Sequence, residues 1–401
     1  MPVIPTYPGV CLEELPSGGR TIAGVPTSIT LFIGRARQGP MNDPVLCLNW
    51  SDFERSFSSD YADCDLIQAV LLFFQNGGTQ CYVTRIAHLG DSGSTGSASE
   101  AKAYDDVSAP QLGDYRMALD AIDRDVDLFN LMVLPGDSAN GDSVPPGLWG
   151  EASAFCRKRR AFLLMDPPPA WLKATDAATD VDGLRLGLVK DHSAIFFPRV
   201  TITEDGLNRQ VGPSGAMAGL MARIDGARGV WKAPAGIEAD IRGVVGLEYR
   251  LSDEESGVLN PKAGNTLRIF PEGIVIWDAR TMDGDDEFGS EYKYIPVRRT
   301  ALFIEESLYR GLEWVVFEPN DEPLWAQIRL NVGAFMNNLF RQGAFQWQTP
   351  KDAYFVKCDK ETMAQNDINK GIVNILVGFA PLRPAEFVII KIQQMAGQLQ
   401  T

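Results

Sequence analysis

Apolar positions recur along this chain at two different spacings. Residues 50–57 and 66–74 follow helical spacing, with Trp50, Phe53 and Phe57 in the first stretch and Ile67, Val70, Leu71 and Phe74 in the second. Ser51 is placed to cap the first helix. Asn76-Gly77-Gly78 is placed to stop the second, because glycine tolerates the left-handed conformation past a helix end. Residues 27–34 and 81–86 are short apolar runs bounded by turn formers and predict strands. The same rhythm continues with a helix over 115–122, a strand over 128–134 and a helix over 150–160. A strand over 161–165 ends at Pro167-Pro168-Pro169, and a strand over 194–202 precedes a helix over 214–224. Short apolar strands separated by helices predict an α/β region whose largely parallel sheet is covered on both faces.

The pattern changes after the acidic run 283–287 (DGDDE), which reads as a boundary. Beyond it a helix is predicted over 297–312, with Leu302, Ile304, Leu308 and Leu312 as its apolar positions, and a strand over 314–317. A strong amphipathic helix over 323–340 is opened by Asp321 as a cap and by a proline in its first turn. Strands are predicted over 354–358, 372–379 and 387–392, which makes this block α+β. At the other end, Pro2, Pro5, Pro8 and Pro16 exclude a helix, and weak alternation over 10–15 predicts one strand in an extended arm. Residues 90–99 (GDSGSTGSAS) are low in complexity and read as a flexible surface loop within 88–101. The expected organisation is an arm over 1–20, an α/β region over 21–282, an α+β domain over 283–392 and a polar tail over 393–401.

Composition narrows the function. The chain has 401 residues, 45% of them hydrophobic, and a net charge of −15. It is globular rather than disordered. No apolar run approaches the roughly 18 residues that span a bilayer, and the first residues lack the basic and apolar regions of a signal peptide. Synthesis in the cytoplasm, without membrane contact, is the expectation. The acidic balance argues against sequence-independent nucleic-acid binding, which needs a basic surface. Residues 323–401 run against the whole, with eight basic against five acidic side chains. The six cysteines contain no CxxC pair, so reduced, mostly buried thiols are expected and no zinc site.

The search for chemistry returns one enzyme-like segment, Gly212-Pro-Ser-Gly-Ala-Met-Ala-Gly219. A serine at a helix start followed by small residues resembles the nucleophile segment of subtilisin-like proteases. A nucleophilic Ser214 needs a base and an orienting carboxylate. Only His88 and His192 exist, and neither sits in a glycine-flanked histidine motif. The plainer reading is a helix cap at Ser214 with close helix–sheet packing through Gly215, Ala216, Ala218 and Gly219. Gly34-Arg-Ala-Arg-Gln-Gly39 follows a strand but lacks the glycines and the GK[ST] of a phosphate loop, and reads as a polar connection. Residues 157–160 read as the cationic end of a helix, and Asp253, Glu254 and Glu255 as one solvated run. Trp314, Trp325 and Trp347 read as core or interface anchors. No catalytic residue, cofactor or metal is expected. The remaining unusual feature is a strand-forming segment at each terminus, suited to pairing with another chain's sheet edge.

Several longer motifs carry a resemblance. The opening Tyr7-Pro-Gly-Val-Cys-Leu-Glu-Glu-Leu15 is followed by Ile22-Ala-Gly-Val-Pro-Thr-Ser28. The segment from Gly212 continues through Arg223-Ile-Asp225 to Arg228-Gly-Val-Trp-Lys-Ala-Pro-Ala235. Further on come Leu324-Trp-Ala-Gln-Ile328, Asn331-Val-Gly-Ala-Phe-Met-Asn-Asn-Leu-Phe-Arg-Gln-Gly-Ala-Phe345, Asp352-Ala-Tyr-Phe-Val-Lys-Cys-Asp359 and Asn366-Asp-Ile-Asn369. In this order the motifs resemble the contractile tail sheath family of phage tails, R-type bacteriocins and extracellular contractile injection systems. The resemblance implies a non-catalytic α/β outer region of subtilisin-like topology and an α+β C-terminal domain next to an inner tube. It implies a homo-oligomer of hexameric rings, with baseplate and terminator proteins as further partners. It also implies that the terminal arms lend strands to neighbours. The N-terminal linking strand would hold Tyr7, Val10, Leu12 and Leu15. The C-terminal one would hold Phe387, Val388, Ile389, Ile390 and Ile392, either donated or kept as the last strand of its own sheet. Arg329, Arg341 and Lys351 are the tube-facing candidates. The rivals are a divergent serine hydrolase using Ser214 and a sheath-like cap or baseplate adaptor.

Overall fold

The computed structural model describes residues 21–59, 64–87, 109–204, 206–287 and 289–387. They divide into two units. One contains Pro26–Phe303 and the segment from Pro381 onward; the other contains Ile304–Ala380 and the segment that ends at Val25. The N-terminal linking strand with Tyr7, Val10, Leu12 and Leu15, the loop 90–99, His88, and Val388, Ile389, Ile390 and Ile392 lie outside the described residues.

The larger unit is built on strands β1 (Thr30–Gly34), β2 (Val45–Cys47), β3 (Cys81–Arg85), β4 (Leu131–Val133), β5 (Phe162–Met165), β6 (Ser193–Phe197), β7 (Val200–Glu204), β8 (Leu207–Val211), β9 (Gly246–Leu247), β10 (Gly264–Phe270) and β11 (Gly273–Ile276). Its helices are α1 (Trp50–Phe57), α2 (Leu66–Gln75), α3 (Leu112–Asp125), α4 (Leu148–Lys158), α5 (Ala174–Leu184), α6 (Ser214–Arg228) and α7 (Asp253–Leu259). The main sheet runs β11-β10-β6-β5-β4-β1-β3-β2. It is parallel from β10 to β3, with antiparallel β11 and β2 at the edges. Alternation along each strand feeds two separate cores. Phe32, Val83, Val133, Leu164 and Phe196 face one way with residues of α1, α2 and α6. Leu31, Ile33, Met132, Leu163 and Ile195 face the other with residues of α3, α4 and α5. Both faces of a parallel sheet are thus buried, as the continuous apolar strands require.

Helix α8 (Ile295–Gly311) contains the division between the units, after Phe303. The acidic run expected to mark a boundary belongs instead to the larger unit, where Asp285 is buried beside Arg185. The smaller unit continues with α9 (Glu322–Arg341), α10 (Pro350–Ala353), β12 (Tyr354–Lys357), α11 (Gln365–Asn369) and β13 (Leu376–Phe379). Leu324, Trp325, Ile328, Val332, Phe335, Met336 and Leu339 form the buried stripe of α9. The Asp321 side chain accepts from the Leu324 N–H and caps this helix as expected.

Four local readings differ from the sequence. Asn49, not Ser51, caps α1, since its Oδ1 accepts from Asp52 N at 2.9 Å. The strand expected over 194–202 is two strands in different sheets. Pro198 offers no N–H to a ladder, so β6 ends in the main sheet, and β7 begins a three-stranded antiparallel sheet with β8 and β9. Residues 314–317 contain no strand: Glu313–Val315 is a 3-10 turn. The acidic run at 253–255 forms the first turn of α7, where Ser252 and Glu255 make a capping box and Asp253 pairs with Arg268. Cys47, Cys64, Cys81, Cys156 and Cys358 are free and buried.

Candidate assembly interface

The enzyme-like segment folds as packing. Ser214 is the first residue of α6, and its N–H and Oγ both donate to Asp166, each at 2.8 Å. The carboxylate after β5 therefore serves the helix start, where the dipole favours negative charge; Ser214 itself is not the cap. Burial pushes the Asp166 carboxyl up to about 6, while the bonds from Ser214 hold it down. His192 precedes β6 and, in register, lies level with Phe162, four residues before Asp166, so it stands at the opposite end of the parallel strands, roughly 13 Å along them at about 3.3 Å per residue. Both its ring nitrogens are engaged: Nε2 accepts from Arg298 at 2.8 Å and Nδ1 faces Asp191 at 2.9 Å. Among the described residues, a triad through Ser214 has no base in reach. Gly215 and Gly219 of α6 pack on a helix rather than on the sheet. A Cβ at Gly215 would collide with the Ala69 backbone, and one at Gly219 with the Phe73 carbonyl, both on α2.

Ligands of open α/β sheets bind outside the carboxyl ends of the strands, where the strand order reverses. Here that place, beside β1 and β4, holds ion pairs. Arg35, read as part of a polar connection, is 2% exposed and grips Asp137 with Nε and Nη2. Asp65, 4% exposed, meets Arg209 and stands 3.9 Å from Arg199. Burial pushes the Asp65 carboxyl up to about 7 against the pull of both arginines. Lys158 and Arg159 at the end of α4 pair with Asp123, leaving that cationic run tied into its own unit.

The unfinished structure lies in the smaller unit. Strands β12 and β13 pair antiparallel, with Tyr354 opposite Phe379, Phe355 opposite Gly378, Val356 opposite Val377 and Lys357 opposite Leu376. Alternation places Tyr354, Val356, Val377 and Phe379 on one face. The Phe345 ring covers that face, 6.1 Å from Tyr354 and 5.5 Å from Phe379 between centroids. On the other face the Phe355 ring lies over Gly378, where any side chain would collide with it. Phe355 is 47% exposed and Leu376 52%. A sheet of two strands is marginal in water. Among the described residues each strand has an outer edge with no strand partner, and such an edge is a template for another chain.

Next to β13 is an apolar groove of about 590 Å³, lined by Leu308 and Tyr309 of α8, by Leu312 and Val316 after it, and by Leu376 and Val377. Phe317 and Trp347 stand fully or largely in solvent with φ of 70° and 79°. A bulky residue held in that region stores backbone strain of about 1–3 kcal/mol. Of the other anchors, Trp325 is core. Arg329 is committed within the unit, its Nη2 donating to Glu322 at 2.7 Å and its Nη1 to the Cys358 carbonyl. Arg341, Lys351 and Phe387 are exposed. The alternation of β12 was readable in the sequence. The free edges, the groove and the left-handed aromatics were not, because they depend on what fails to pack.

Among the described residues no helix is long and apolar enough to cross a membrane, and no group of three or more metal-ligating side chains is gathered. Residues 287–395 match the phage tail sheath C-terminal domain. No protein of curated function matches the chain by sequence. Among solved structures, the chain is similar to a protein of an extracellular contractile injection system, the PVC sheath complex in its contracted state. The identity is 25% and the TM-score 0.75, covering 98% of this chain and 99% of that one. It is 28% identical to a chain of the anti-feeding prophage helical sheath in its contracted state, with a TM-score of 0.72 and coverage of 98% and 100%. A chain of the six-fold symmetrised anti-feeding prophage baseplate gives 29%, 0.71, 98% and 100%. These structures share the mixed architecture of a largely parallel main sheet and small antiparallel sheets, and with the matched domain they identify the chain as similar over nearly its whole length to contractile tail sheath proteins.

Proposed function

We propose that this chain is a structural, non-enzymatic subunit of a contractile sheath. It polymerises as hexameric rings around an inner tube and contracts to drive that tube through a target envelope. The observation that carries the reading is the two-stranded sheet β12–β13, whose outer edges and apolar face are left open. Strands lent by neighbouring copies would complete it: residues 10–15 from the N-terminal arm and the segment from Phe387 to Ile392. Added strands supply many backbone hydrogen bonds, while the chain between sheet and body stays extended. Head-to-tail contacts that do not close generate a helix of subunits, and linked rigid bodies can rotate without separating. In this reading the smaller unit lies nearest the tube, presenting Arg341 and Lys351, and the α/β unit faces outward with its subtilisin-like segment reduced to packing. Baseplate and terminator proteins are the further partners, in a phage tail or an extracellular contractile particle; nucleic acid and membrane are not.

Deleting residues 1–16 should abolish sheath polymers in negative-stain images and sedimentation, and leave a folded monomer by circular dichroism. Intact contractile tubes from the deletion would sink the reading. The likeness to a baseplate chain supports one second reading, a ring-forming adaptor. That protein would give single rings and no long tubes in the same images.

A further inference from the structure

Arg280 is the most enclosed cation at the end of the larger unit, 1% exposed. Its backbone is clamped by Asn265 of β10, which is itself fully buried: Arg280 N donates to Asn265 Oδ1 at 2.6 Å and its carbonyl accepts from Asn265 Nδ2 at 2.8 Å. Tyr294 is held opposite Arg280 by an antiparallel bridge. Nη1 of Arg280 donates to the carbonyls of Asn260 and Gly284 and to Asp286 at 3.0 Å. The rest of the fork, Nε and Nη2, is turned on Glu386, at 2.8 and 2.7 Å to its two oxygens. Burial and the nearby Glu386 carboxylate push the Tyr294 hydroxyl above its ordinary value. Glu386 comes after the chain has left β13 and rejoined the larger unit. The next residue, Phe387, is 76% exposed and is the last one described.

Asp286 touches Nη1 of Arg280 at 3.0 Å but is half-exposed and also pairs with Lys293 at 2.6 Å, so it does not serve Arg280 alone. Glu386 brings the second carboxylate. What it adds is a two-point, planar grip on a segment with little other packing, since bidentate guanidinium–carboxylate pairs fix geometry as well as energy. We infer that Arg280 forms a preformed carboxylate socket whose occupant, Glu386, sets the point from which the C-terminal linking segment departs. This rests on the strand-lending function proposed above and names the residues that position it. A segment rooted on a buried, backbone-clamped arginine starts from the same place in every copy, so a lattice of identical links can form. A segment released at its root samples many directions, and each link then loses an ordering entropy that the root had already removed.

Four proteins test this: the intact chain, a deletion of residues 388–401, and the variants Glu386→Gln and Glu386→Ala. Glu386→Gln keeps size and one hydrogen bond and guards against a variant that fails to fold. The expected result is no tubes from the deletion, and at least tenfold fewer sedimentable tubes from both variants at 20 °C. The melting temperature of each monomer should stay within a few degrees of the intact chain. Variants that melt lower but polymerise normally at 20 °C would make the pair merely structural and overturn the socket as a root. Normal tubes from the variants with none from the deletion would also overturn the root while the linking function stands. Normal tubes from the deletion would remove the C-terminal linking function itself, and the root with it.

Discussion

The two sheets of this protein differ in how far they are finished. The eight-stranded sheet buries both faces in separate apolar cores, its edge strands are short and antiparallel, and its carboxyl edge is filled with ion pairs such as Arg35–Asp137. Among the described residues, the two-stranded sheet leaves one face and both outer edges open, next to an apolar groove and two strained aromatics. The first can stand alone. The second lacks the third strand that an independent sheet needs. In the function proposed above, the difference separates a part that supplies a body from a part that supplies links.

This contrast can be broken most directly on the open face. Replacing Phe355 and Leu376 together by Asp should abolish polymers, while the monomer's stability changes by about 0.5 kcal/mol or less, as for exposed positions. Urea unfolding and sedimentation read the two effects separately, and a large loss of monomer stability would show that the face is already part of a finished core. The converse variant is Gly219→Val. Its side chain has no room against the Phe73 carbonyl, so α2 and α6 must separate, at about 3 kcal/mol. The urea midpoint should fall clearly; an unchanged midpoint would mean that the two helices do not meet as described.

The smallest effect concerns pH. The Asp166 carboxyl is raised to about 6 by burial, whereas an unfolded aspartate titrates near 4. The folded state therefore binds more protons between these values. Its advantage is fully present below about pH 4 and is lost as pH rises through about 6. Asp65, raised to about 7, acts in the same direction. Asp166→Asn keeps the shape and can still accept from the Ser214 N–H. It should flatten the fall of the urea midpoint between pH 4 and pH 6.5. A slope identical to that of the intact chain would remove Asp166 from the account.

Much of the body was legible in residue order. The α1 bounds follow from Trp50, Phe53 and Phe57, the stop of α2 from Asn76-Gly77, and the start of α9 from Asp321 followed by proline, because each depends on neighbours within one or two turns. The errors arose where a partner from elsewhere decided the outcome. A single apolar run became β6 and β7 because Pro198 parts two sheets. Ser214 was read as a cap or a nucleophile, but Asp166, 48 residues earlier, takes both its donors.

Local periodicity thus specified which segments are helices and strands and which faces are apolar, since those properties are written in spacings of two and of three to four residues. Pairing across long distances decided the rest. Only the folded chain placed His192 and Asp166 at opposite ends of the parallel strands, joined Arg280 to Glu386 across 106 residues, and left β12 and β13, among the described residues, without further strand partners. A strand's sequence records that it can pair, whereas its neighbours in space determine which of its edges remains to be filled.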